Sequence, residues 1–296
     1  MNERLGARST QWVESVLHSD VVHAQRLTGG WTSAMYLVRS ARGEEHVLRL
    51  MDKEPWRTHG AALVGRERDV QTMLRGTGIP APRSRGSDLT GEDAGHPAHL
   101  MSRLPGGLDL RRNDRDLLEQ LAGALARIHA FEPPVRPRDF QSWAIPAKRV
   151  VPAWATRGTA WTAAFGALEA ESPAFAGTFI HRDFHLGNVL WSEGEVTGVV
   201  DWVETSWGPA ELDVAHCRTY LAMLHGPETA SGFEEAYAAR AADHDPGNQR
   251  HWDLLDIVGH LPDPVKVAQP WRDHGIEITD VTARTRLEQH LEAVLG

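Results

Sequence analysis

Only one cysteine, Cys217, occurs in the 296 residues, so no internal disulfide can form and no cysteine pair is available for a structural zinc. That usage suits a reducing compartment. Lysine is nearly as scarce: Lys53, Lys148 and Lys266 are the whole complement, which leaves arginine to carry almost all positive charge. No basic run is present, and a formal charge of −9 argues against a nucleic-acid partner. No stretch is long and apolar enough to span a membrane, and the first ten residues carry Glu3, Arg4 and Arg8 without an apolar core. These features predict no signal peptide and a cytoplasmic protein. Repeats and low-complexity tracts are missing too. With 41% apolar residues, the chain can bury the core of one large domain or of two lobes.

Periodicity divides the chain into two characters. A helix from about Gln11 to His18, with Ser9 or Thr10 as its cap, precedes strands at Val21–Leu27, Ala34–Arg39 and Glu45–Met51. A long helix follows, roughly Thr58 to Arg75, ending at Gly76. Ala98–Arg103 reads as one more strand before Pro105-Gly106-Gly107 breaks the pattern. Beyond that point the apolar spacing is helical, beginning with Leu117, Leu121, Leu125 and Ile128 behind a cap at Asn113 or Asp114. Two short strands flank a turn at Glu193-Gly194, and helices fill the rest. The expectation is an α+β protein with a mostly β first lobe, a Pro-Gly-Gly joint, a mostly α second lobe and a cleft.

The chemistry concentrates in His181-Arg182-Asp183-Phe184-His185-Leu186-Gly187-Asn188, followed after a hairpin by Val199-Val200-Asp201-Trp202. Phosphoryl transfer asks little covalent work of a protein. It needs a carboxylate to receive a hydroxyl proton and oxygen ligands to hold magnesium on the phosphates. Asp183, Asn188 and Asp201 supply that set. The eight residues fit the kinase pattern H-R-D-x-x-x-x-N, and the chain here resembles the aminoglycoside phosphotransferase and choline kinase superfamily. Asp201-Trp202-Val203-Glu204 in place of Asp-Phe-Gly, Gly208-Pro209 followed by Asp213, and the lack of an Ala-Pro-Glu triplet favour this small-molecule branch over protein kinases.

The resemblance implies a two-lobed protein-kinase-like fold: an antiparallel β-sheet lobe with one long helix over residues 1–104, a hinge at about 101–107, and a mostly helical lobe over 105–296. It implies Asp183 as catalytic base, Asn188 and Asp201 as Mg2+ ligands, and Asp213 as a buried brace for the loop. ATP or GTP would be the phosphoryl donor. Leu27 to Tyr36 looks like the family's nucleotide loop, with Gly29, Gly30, Thr32 and Ser33 near phosphate; taken alone, a Gly-Gly turn is also a plain hairpin. Alternation in Val47-Leu48-Arg49-Leu50-Met51 turns Arg49 away from the leucines. Arg49 would then pair with Glu67, in the place where protein kinases use lysine, although Lys53 shares its parity and a solvated edge charge is the plain reading of either. Met101, Ser102 and Leu104 would receive the base.

The acceptor side is less defined. Glu204, Glu211, Asp253, Asp256, Asp263 and Asp273 have Trp202, Trp207, Trp252 and Trp271 nearby in the sequence, a composition that suits an amine or quaternary ammonium ligand and equally suits an ordinary acidic helical surface. His185, Glu204, Trp202 and Trp207 are the candidate substrate contacts, and His181 is expected to face the core and hydrogen-bond the loop. An aminoglycoside or other cationic antibiotic is the first expectation, with a macrolide, a choline-like amine or a sugar as others. Two readings compete: a metal hydrolase using His181, Asp183 and His185, and a nucleotide-binding module of the same fold without activity.

Overall fold

Alternation in Ala34–Ser40 and Glu45–Leu50 builds the centre of an antiparallel sheet; the computed structural model of the chain describes residues 5–28, 32–170, 172–241, 244 and 246–296. Helix α1 (Ala7–Leu17) leads into β1 (Val21–Arg26), β2 (Ala34–Ser40) and β3 (Glu45–Leu50); α2 (Gly60–Met73) then precedes β4 (Ser84–Asp88) and β5 (Ala98–Ser102). The strands lie in the order β1-β2-β3-β5-β4, all antiparallel. One sheet face and α1 close a core of Trp12, Val13, Ala34, Tyr36, Val38, Leu48, Leu50 and Leu100. Because side chains alternate across a strand, Arg49 projects from the other face.

Two expectations fail here. Helix α1 begins earlier than expected and its N-cap is Gly6, which makes no side-chain capping bond. Ser9 lies inside the helix and its hydroxyl donates to Ala94 O, while Thr10 bonds back to Gly6 O, so neither caps. Strand β4 was not expected, because Ser-Arg-Gly-Ser-Asp carries no apolar alternation; pairing with β5 makes it a strand.

The remaining elements are α3 (Arg115–His129), α4 (Gly158–Ala167), β6 (Thr178–Ile180), β7 (Val189–Ser192), β8 (Glu195–Val199), β9 (Ser206–Gly208), α5 (Ala210–His225), α6 (Pro227–Ala238), α7 (Pro246–Gly259), α8 (Val265–Asp273) and α9 (Asp280–Leu295). Strands β7 and β8 form a ribbon whose turn residues Glu193 and Gly194 both adopt positive φ, 52° and 86°, as a tight two-residue hairpin requires. The three-residue strands β6 and β9 are too short to leave a sequence period. The α+β class, sheet first and helices after, matches the expectation. By contacts the chain divides into one unit of Met1–Gly106 with Thr197–Glu204 and a second of Gly107–Val196 with Thr205–Gly296.

The α3 cap anchors the start of the helical unit: the Asp114 carboxylate accepts from Leu117 N at 2.9 Å and from Arg112. Asp114→Ala should cost about 1 kcal/mol of stability, read as a lower urea midpoint at unchanged slope. An unchanged midpoint would remove the cap's role.

Candidate active site

In the first unit, α2 packs against β4 and β5, and its Glu67 meets Arg49 of β3 in a charged network. Arg49 is 4% exposed and Glu67 fully buried. The Arg49 guanidinium lies 3.1 Å from Glu67 and donates at 3.0 Å to Asp201 Oδ1, with Ser33 Oγ at 3.4 Å. His99 Nδ1, on the neighbouring strand β5, donates to Glu67 Oε2 at 2.9 Å, since a carboxylate can only accept. The Ser84 hydroxyl meets its Nε2 at 3.0 Å. Burial alone would raise the Glu67 pKa, but Arg49 and His99 hold it well below the ordinary carboxylate range. Lys53 lies past the end of β3, half-buried, so Arg49 is the cation in the Glu67 network.

The other sequence-selected residues of this unit are placed as follows. Gly29 and Gly30 lie outside the described residues. Thr32 is half-buried and Ser33 buried at the start of β2. Met101 and Ser102 close β5, where Ser102 Oγ accepts from Arg83 N at 2.9 Å; Leu104 follows, half-buried. Glu204 lies 3.9 Å from Arg66. Trp202 was expected to wall a substrate pocket. It is instead fully buried, with its indole N–H donating to Val199 O at 2.8 Å, and is core.

In the second unit the loop from His181 to Asn188 is pinned from behind. Asp213, on α5, is fully buried and accepts 2.7 Å hydrogen bonds from two successive amides, His181 N and Arg182 N. Arg182 takes φ 73° to aim them, and its guanidinium carbon sits 3.7 Å from the Trp143 ring centroid. His129 Nε2 adds a third contact to Asp213 at 3.2 Å. Burial opposes charge on Asp213, yet His129 and the His181 amide keep its pKa below normal. His181 is buried, and its Nδ1 accepts from Asp183 N at 3.3 Å.

This anchoring leaves the Asp183 side chain 24% exposed with both oxygens engaged. Oδ2 accepts from Asn188 Nδ2 at 3.1 Å, and the same amide nitrogen donates to Asp183 O at 2.8 Å. Asn188 thereby turns its carbonyl oxygen away from Asp183. His185 folds back so that its Nδ1 accepts from Gly187 N at 3.0 Å. A Cβ on Gly187 would come within 2.7 Å of the His185 ring, so a larger residue there would displace the ring. Burial, before any other influence, pushes the His185 pKa down to about 3, and Tyr220 of α5 stacks on the ring at 3.9 Å.

One residue of this centre escaped sequence reasoning. His216 of α5 lies with Nε2 3.0 Å from Asp183 Oδ1 and Nδ1 2.9 Å from Asp256 Oδ1 of α7. Burial disfavours its charge, but Asp256 and the bonds to both carboxylates overcome that and push the pKa up to about 9. The signal was present as spacing: Asp213, His216 and Tyr220 are three and four apart, as are Asp253, Asp256 and His260, two helical stripes.

Two further expectations are corrected. The acidic residues do not gather around an open pocket. Asp253 is buried against Arg218 and Gln249, and Asp256 against His216; Asp263 pairs with Arg284. Trp252 and Trp271 are buried, while Trp207 lines a pocket of about 410 Å³ with Phe131, Glu132 and Arg136 that includes none of Asp183, His185 or Asn188. The hydrolase triplet also fails to converge. Among the described residues, Asp183, His185 and His216 come together and His181 does not.

The sequence model of the phosphotransferase enzyme family matches residues 23–249. No curated protein matches the sequence. A solved structure of a thermostable mutant of aminoglycoside phosphotransferase APH(4)-Ia, in ternary complex with AMP-PNP and hygromycin B, superposes with a TM-score of 0.68 at 18% identity over 97% of this chain and 99% of that one. Macrolide 2'-phosphotransferase MphH from Brachybacterium faecium gives 0.61 at 16% identity, over 93% and 96%. At these identities the likeness shows the fold alone.

The raised pKa of His216 links stability to pH. Its bonds to Asp183 and Asp256 stabilise the fold fully below the ordinary value of 6.5, and that contribution is lost as pH rises through about 9. The stability difference between the natural protein and His216→Gln should therefore shrink from pH 6.5 to above pH 9 in denaturant titrations; a constant difference would contradict the assigned charge.

Proposed function

The chain belongs to the phosphotransferase enzyme family, and on that premise we propose that it transfers the γ-phosphoryl group of a nucleoside triphosphate to a hydroxyl of a small molecule, with Asp183 as the base. The observation that carries this reading is the Asp183 carboxylate: partly exposed, held by Asn188 and His216, on a loop braced by Asp213. Burial by itself would raise its pKa, but the His216 hydrogen bond and charge keep it well below the usual range. An ionised, weakly basic carboxylate suits orientation of the acceptor hydroxyl and late receipt of its proton.

The first unit would bind nucleotide, with the base against Met101, Ser102 and Leu104 and the phosphates near Gly29, Gly30, Thr32, Ser33 and Arg49. The second unit would supply catalysis and the acceptor site. A guanidinium held by Glu67 can grip two phosphate oxygens. The donor types suit magnesium: Asp201 would offer a carboxylate and Asn188 an amide carbonyl, both hard oxygen ligands. The ion would neutralise charge on the β- and γ-phosphates. A nucleotide donor agrees with the AMP-PNP complex of the aminoglycoside enzyme, and dependence on it implies a cytoplasmic setting. The acceptor reading rests on the enzymes that share the fold, which act on aminoglycosides and macrolides. An aminoglycoside comes first, and resistance to such an antibiotic would follow.

A thermal-shift series with ATP and GTP, with and without magnesium, then with hygromycin B, other aminoglycosides and macrolides, tests the class. Magnesium-dependent stabilisation by a nucleotide is expected, since a ligand at a hundredfold excess over Kd adds roughly 2.7 kcal/mol; no response to either nucleotide would sink the reading. Asp183→Ala should keep nucleotide binding and lose about 10²-fold or more in turnover. Asp201→Ala should instead weaken magnesium-nucleotide binding in calorimetry, and unchanged affinity would remove it as a ligand.

A further inference from the structure

The hydrogen bond from His216 to the base is itself backed by further buried groups. His216 is 1% exposed and stands between two carboxylates, with Asp183 Oδ1 3.0 Å from Nε2 and Asp256 Oδ1 2.9 Å from Nδ1. Neither carboxylate can donate, so each ring nitrogen must carry its own hydrogen. His260, just past the end of α7, brings its Nε2 to 3.3 Å from Asp256 Oδ2. His216 on α5 and Asp256 on α7 thus join Asp183 in one hydrogen-bonded line, with His260 close beside its far end.

We propose that His216, backed by Asp256, is a positioning residue for the reaction: its two-sided hydrogen bonding fixes the rotamer of Asp183 and directs the remaining lone pairs of that carboxylate toward the acceptor hydroxyl. The inference rests on the reading of Asp183 as the base. It accounts for an arrangement that packing alone would disfavour, because a buried charged ring is costly unless both of its donors are met. A metal held by the same groups is a poorer account. Ligand atoms around an ion at 2.0–2.1 Å stand about 3.3 Å apart, whereas both His216 contacts are hydrogen-bond distances of 2.9 and 3.0 Å.

The test combines spectroscopy and kinetics on the full chain. Long-range proton–nitrogen spectra of histidine-labelled protein at neutral pH should show one imidazolium, protonated on both nitrogens, that vanishes in His216→Gln; a neutral tautomer there would overturn the proposal. Nucleotide turnover with the acceptor that responds in the thermal-shift panel, or with water where none does, gives the second readout. His216→Phe should lower kcat at least tenfold with the nucleotide KM unchanged. His216→Gln, whose amide can still donate to Asp183, should recover most of that loss. Asp256→Asn should lower kcat several-fold in the natural background and have no effect in His216→Gln. In Asp183→Ala, adding His216→Gln should change nothing. Should His216→Phe fail to fold, the Asp256→Asn and His216→Gln pair decides the matter alone: additive losses would overturn the proposal. Full activity in Asp183→Ala would instead remove the base assignment, whereas an impaired Asp183→Ala beside a fully active Asp256→Asn would remove only the role of His216.

Discussion

The loop from His181 to Asn188 depends on one fully buried carboxylate. Asp213 draws the amides of His181 and Arg182 onto its two oxygens, and the second can reach only because Arg182 adopts a left-handed backbone conformation. For a non-glycine residue that conformation costs about 1–3 kcal/mol, while hydrogen bonds to a charged acceptor return about 1.5–3 kcal/mol each. Two such bonds outweigh the cost, so the bend persists. Because Asp183 follows directly, its direction is set by α5 rather than by the flexibility of a loop.

The same helix then holds the carboxylate it has aimed. Asp213 and His216 are one turn apart on α5, one taking the loop backbone and the other the Asp183 side chain. Rigid elements place groups more closely than loops do, and here a single helix sets both the main chain and the Asp183 Oδ1. Tyr220, the next residue along that stripe, stacks on His185 and keeps the far side of the loop closed.

Both units obey one rule about buried charge. Arg49 is met by Glu67 and Asp201, His216 by Asp183 and Asp256, and Arg218 by Asp253 and Glu234. Each is a cation between two carboxylates, so removing either partner leaves the remaining one without full compensation. The scarcity of lysine fits the pattern in the first unit, where a planar guanidinium contacts both acids at once and an ammonium would serve them less well.

Local chemistry was legible where it was contiguous. Histidine 181 through asparagine 188, the alternation that turned Arg49 from Leu48 and Leu50, the Asp114 cap and the Glu193-Gly194 turn all lie within a few residues, where spacing alone dictates which groups share a face. The sheet and the long helix were readable for the same reason. Three things were decided only by tertiary structure: the polar β4 and the three-residue β6 and β9, which become strands through their partners; Trp202 and the acidic residues of α7, which look like ligand contacts in sequence but are consumed in the interior; and His216, which acquires meaning only when Asp183 and Asp256, 33 and 40 residues away, close on its ring. A sequence sets which hydrogen bonds a side chain can make, but packing chooses the partners, because burial leaves each polar group only the neighbours that the fold brings within reach.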